Sequence, residues 1–163
     1  MMKKYLLLVA IIFASCAEQK QEPKTAGYSI RGEEESYMIG SDETTDFIRK
    51  WADAHNERDM ESILSMEKAD IKIELPDGTV INGQDEHSKV LESFFANNVT
   101  WKPYWMLPYN SVIAKETWVI AGFALTSNVD GEENVVLHMG DIQLEDGLVS
   151  RIIVYENQRP KKQ

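Results

Sequence analysis

Between residues 117 and 156, two Asp-Gly pairs, Asp130-Gly131 and Asp146-Gly147, interrupt runs of alternating apolar residues. Aspartate and glycine accept the positive φ of a two-residue hairpin turn, so the stretch reads as three consecutive antiparallel strands. With no bulge in either hairpin, Asp141 stands opposite Ile120 on one side and Ile152 on the other. Period two then places Trp118, Ile120, Gly122, Ala124, Leu137, Met139, Asp141, Gln143, Ser150, Ile152, Val154 and Glu156 on one face. Val119, Phe123, Leu125, Val136, His138, Ile142, Leu144, Val149, Ile153 and Tyr155 fall on the other.

Both faces are largely apolar, whereas an antiparallel sheet with one wet face alternates apolar with polar. The sheet is therefore expected to be covered twice, by helices on one side and by a second subunit on the other, giving a homodimer through the outer sheet face. With the Asp141 face taken as the inner one, the sheet wraps a cavity. Asp141 then lies on its wall with Trp118, Ile120, Met139, Gln143, Ile152 and Glu156.

The amino terminus sets the expected compartment. Met1-Met2-Lys3-Lys4 precedes an apolar run from Tyr5 to Ala14, too short to span a bilayer as a mature helix and typical of a secretory signal. Phe13-Ala14-Ser15-Cys16 resembles the cleavage boundary of a bacterial lipoprotein, which predicts a signal at 1–15 and a lipid on Cys16, the only cysteine. The expected location is the bacterial cell envelope, membrane-anchored through Cys16. Residues 16–40 are polar and aperiodic and read as a flexible tether. The chain carries a net charge of −10, and loss of residues 1–15 removes two lysines more. So acidic a surface repels phosphate backbones and argues against a nucleic-acid partner.

In the folded part, 41–158, helical spacing of Phe47, Ile48, Trp51, Ala52, Ala54 and His55 predicts a helix over about 42–56. Asp59 caps a shorter one to about Met66. Residues 69–75 alternate as a strand, Pro76-Asp77-Gly78 turns it, and 79–81 return. A third helix follows over about 84–97, with Val90, Leu91, Phe94 and Phe95 as its stripe and His87 at the edge. The aromatic strand from Val99 holds Pro103 and Pro108, so it should be bulged or lie at a sheet edge. Residues 159–163 form a short basic tail.

This order resembles the nuclear transport factor 2-like superfamily, also called SnoaL-like or ketosteroid-isomerase-like. The stretches that carry the likeness are WADAHNERDMESI from Trp51, INGQDE from Ile81 and DIQLEDGLVSRIIVYEN from Asp141. The resemblance implies an α+β fold, a cone-shaped curved antiparallel sheet packed on three helices, with a pocket inside and a dimer through the outer face. Steroid isomerases of the superfamily use a tyrosine, an aspartate base before a proline, and a protonated sheet aspartate. Those positions fall on Trp51, Leu75 and Asp141, which adds Trp51 and Leu75 to the expected pocket. Trp51 offers only an N–H and Leu75 takes no proton, so isomerisation by that mechanism is not expected.

Asp141 and His55 are the candidate catalytic groups. An acid on an apolar wall is either a pocket acid with a raised pKa or a structural carboxylate bonded to a donor such as Trp51, Tyr104 or a backbone amide. His55 is either a base near neutral pH or a buried, hydrogen-bonded histidine. The three histidines show no metal-ligand spacing, and there is no phosphate loop or nucleophile elbow, so neither a metal nor a cofactor is expected. Two functions suit these features: a non-catalytic domain binding a small apolar molecule, or an isomerase, hydratase or cyclase-like enzyme using Asp141. An accessory module of an envelope complex is the third.

Overall fold

The computed structural model describes residues 27–29, 35–129 and 131–157. The expected signal peptide, Cys16 and basic tail lie outside them. In chain order the elements are β1 (Gly27–Ser29), β2 (Glu35–Ile39), α1 (Asp42–Glu57), α2 (Met60–Ser65), β3 (Glu67–Glu74), β4 (Val80–Asn82), α3 (Gly83–Ala96), β5 (Thr100–Ser111), β6 (Thr117–Val129), β7 (Glu132–Glu145) and β8 (Leu148–Asn157). The strands form a single sheet in the order β1-β2-β5-β6-β7-β8-β3-β4. It is antiparallel except where β3 runs parallel to β8. The architecture is the expected α+β cone, an open curved sheet with three helices among the described residues.

Local chemistry explains the helix ends. Asp59 accepts from Ser62 N at 3.0 Å and starts α2. Arg58, at φ 59, ends α1 in the left-handed region. Both hairpin turns have two residues, between Val129 and Glu132 and between Glu145 and Leu148. Asp146 and Gly147 take φ of 54 and 79, the mirror-image turn that such pairs favour.

Four expectations change. First, Asp141 pairs with Ile120 as expected, but its partner on β8 is Ile153, not Ile152. The register slips between Gln143 and Leu144, leaving Ser150 as an extra residue. One inserted residue turns the rest of the strand over, so Ile152, Val154 and Glu156 change faces relative to β7. Second, the helices cover Val119, Ala121, Phe123, Leu125 and Ile142, all buried in the core with Ile48, Trp51, Ile63 and Ile71. Asp141 therefore lies on the outer face, with Trp118, Ile120, Met139 and Gln143. Third, His138 lies on the inner face, opposite Phe123 and Glu156. Fourth, residues 27–29 and 35–39, read as tether, are strands, and β2 pairs with β5.

That pairing reaches only Tyr109, Asn110 and Ser111, so Pro103 and Pro108 precede it on an edge of the sheet, and β5 also bulges at Tyr104, between Pro103 opposite Phe123 and Trp105 opposite Gly122. A Cβ on Gly122 would run into the side chains of Trp105 and Tyr104, so a larger residue there would have to displace both.

Candidate functional site

A cavity of about 270 Å3 lies between the helix-covered face of the sheet and α3. The α3 stripe supplies Val90, Leu91, Phe94 and Phe95, β3 supplies Ile73 and Leu75, and the sheet supplies Trp101, Leu125, Ile152 and Val154. The lining is largely apolar because the spacing of α3 and the period of the strands point these residues at one another. His55, Asn56, Asp77, His87, His138 and Glu156 are the polar exceptions. His138 Nε2 lies 3.5 Å from Glu156 Oε2.

Beside this cavity lies a buried polar cluster. Glu67, at the start of β3, is enclosed with 3 % exposure. One carboxylate oxygen accepts from Trp51 Nε1 at 2.8 Å, and the other lies 3.0 Å from His87 Nδ1. The carboxylate thus bridges the Trp51 and His87 rings. His55 sits 6.0 Å from His87, centroid to centroid, and edge-on to Trp51 at 4.3 Å. Its Nδ1 lies 2.7 Å from the Trp51 carbonyl oxygen, which can only accept, so Nδ1 carries the proton. Burial pulls the His55 pKa down to about 4, and His87 adds to the fall. The ring is therefore neutral at pH 7 and its Nε2 is a bare lone pair. That atom has no hydrogen-bond partner among the described residues, and neither has Trp101 Nε1. Asn56 holds Trp101 in place by a pair of 2.7 Å bonds to its backbone N and O.

The expected site residues divide. His55, Leu75, Ile152 and Glu156 line the cavity. Trp51 is fully buried behind it, with its N–H committed to Glu67. Asp141, Trp118, Ile120, Met139 and Gln143 stand on the opposite face of the sheet. There Asp141 Oδ1 accepts from Tyr109 O–H at 2.9 Å, so the carboxylate has a donor of its own. Burial raises its pKa, while Tyr109 and Arg151 oppose the rise. Of the three positions matched to the steroid isomerases, Leu75 alone lines the cavity.

Sequence reasoning missed Glu67 and the weight of His87. Alternation gives no signal for Glu67, because β3 is irregular between Glu67 and Lys72 and Ala69, of the same parity, is exposed.

No family model matches the chain, and no curated protein resembles it significantly in sequence. Solved structures do resemble it. A candidate ketosteroid isomerase from Kribbella flavida superposes with a TM-score of 0.60 at 17% identity, over 77% of this chain and 85% of its own. SalBIII, an epoxide hydrolase/cyclase-like enzyme in pyran ring formation in the polyether salinomycin, gives 0.61 at 16%, over 71% and 92%. An NTF2-like protein of unknown function from Cytophaga hutchinsonii gives 0.53 at 15%, over 70% and 89%. The chain has the nuclear transport factor 2-like fold.

Proposed function

We propose that this chain binds a small, largely apolar molecule in the cavity, as a homodimeric domain anchored to a bacterial envelope membrane through lipidated Cys16. The cavity carries the reading. An apolar chamber of about 270 Å3 with a few polar groups in its wall is the form of a small-molecule site. The neighbours' names, an isomerase and a cyclase-like enzyme, agree with small-molecule ligands. The anchor rests on the sequence around Cys16, and the dimer on the apolar outer face. The test is titration with an uncharged naphthalene-based fluorophore. Native protein saturates at one probe per chain, and Val154→Trp, which fills the chamber, loses binding while staying folded. Equal binding by that variant would sink the reading.

A second reading is favoured by the Glu67–His87 pair. A histidine whose Nδ1 is held by a buried carboxylate presents its other nitrogen for proton transfer. On this reading the chain is an isomerase or hydratase-like enzyme that uses His87 rather than Asp141.

A further inference from the structure

His55, Glu67 and His87 come from three different elements, α1, β3 and α3, yet a ligand-type atom of each lies within 4.8 Å of the other two. All three are at least nine-tenths buried. We propose that these three side chains form a binding site for a divalent first-row transition metal of the zinc class, with an open coordination position toward the cavity.

Four observations carry this. The first is His55 Nε2, a buried lone pair without a partner among the described residues. Leaving such an acceptor unsatisfied is unfavourable, and a cation satisfies it. The second is the Nδ1–H of the same ring, which is held by the Trp51 carbonyl at 2.7 Å. A ligating histidine typically gives its far N–H to a carbonyl or carboxylate, fixing the tautomer that exposes the lone pair. The third is Glu67, whose carboxylate is oriented by Trp51 Nε1–H at 2.8 Å, again an outer partner on a ligand. The fourth is location. His55 and His87 both line the cavity, so a molecule bound there reaches an ion held by them.

Two histidines and a carboxylate with one position open is a donor set for zinc and its first-row neighbours. Magnesium and calcium prefer all-oxygen shells and do not suit it. Ligands around a zinc ion bound at about 2.0–2.1 Å stand roughly 3.3 Å apart. His87 Nδ1 and Glu67 Oε2, at 3.0 Å, already have nearly that spacing; the ion takes the place of the proton between them, His87 carries its proton on Nε2 instead, and the His55 ring closes the remaining distance by torsion. The site does not depend on the apolar-ligand reading, because an ion can bind with the chamber empty.

The experiment starts from chelator-treated full-length protein. Calorimetric titration with Zn2+ near neutral pH gives one ion per chain, and Co2+ gives the visible bands of a four-coordinate site. His55→Ala and Glu67→Gln each weaken Zn2+ binding by more than about 100-fold, beyond what loss of an outer partner does. Asp141→Asn, on the other face, binds as native does. In native protein, long-range 1H–15N spectra report His55 Nε2 directly, and its resonance moves on adding Zn2+. This readout holds even if a variant fails to fold. Absence of one-to-one binding, an unmoved Nε2 resonance, or native affinity in both variants would overturn the proposal.

Discussion

Glu67 Oε2 stands 3.0 Å from His87 Nδ1, joining the first residue of β3 to α3 inside a wall that excludes water. The other oxygen of the same carboxylate holds Trp51, so one acid fixes α1, β3 and α3 against one another. Removing it strands two buried donors. Glu67→Ala is expected to lower the unfolding free energy by about 2–6 kcal/mol, from two unsatisfied groups at about 1–3 kcal/mol each. Glu67→Gln should lower it by only about 1 kcal/mol, because the amide oxygen still accepts from Trp51 and His87 can change tautomer to accept from the amide nitrogen. Chemical denaturation of the two variants checks the order.

Asp141 is bonded to the Tyr109 hydroxyl on the outer face of the sheet. Its pKa is raised, chiefly by burial, so the folded chain holds this proton more tightly than the unfolded one. Native stability therefore falls as pH rises above the ordinary aspartate value toward the folded one. Asp141→Asn removes that fall and still accepts from Tyr109. Its Tm is expected to equal the native value at pH 3 and to match or exceed it at pH 7. A large loss at pH 7 would show that the charge itself is structural.

The Glu35 carboxylate accepts from the backbone amides of Val112, Ile113 and Ala114, at 3.0, 2.8 and 2.8 Å. Those bonds, with Ile113 foremost, lower its pKa. The stabilisation is present above the ordinary glutamate value and is lost as pH falls through the folded one. Glu35→Ala should speed amide exchange at residues 112–114 severalfold at neutral pH and leave the β7–β8 hairpin unchanged. Exchange-detected NMR reads both.

The outer face shows Trp105, Leu107, Met139 and Tyr155 each 40–49% exposed. Contiguous apolar surface of this kind marks an interface. Sedimentation is expected to find a dimer for the native domain and a monomer for Leu107→Glu, with the cavity probe still bound. A native monomer at micromolar concentration would remove the dimer.

Much of this architecture was legible one-dimensionally. The helical period through Trp51 and His55, the cap at Asp59 and the Asp-Gly turns depend on neighbours a few residues away, and each element appears where those signals put it. Asp141 faces Ile120 because a two-residue turn sets the register outright. The β8 partner was off by one because the bulge at Ser150 leaves no compositional mark. That single residue moved Ile152, Val154 and Glu156 to the other face from Asp141.

Which side of the sheet faces the helices was beyond local inspection. Val119, Phe123 and Ile142 on one face and Trp118, Ile120 and Met139 on the other are equally apolar, so alternation gives no preference. Glu67, His55 and His87 are likewise distant in sequence, and only packing brings them together. The sequence by itself determined the helices, the strands from β3 onward, the turns and the α+β class, since short-range sterics and periodicity decide those, but not β1 and β2. Tertiary structure alone decided the inner face and the buried polar cluster, because both arise from contacts between segments whose separation the chain does not encode locally.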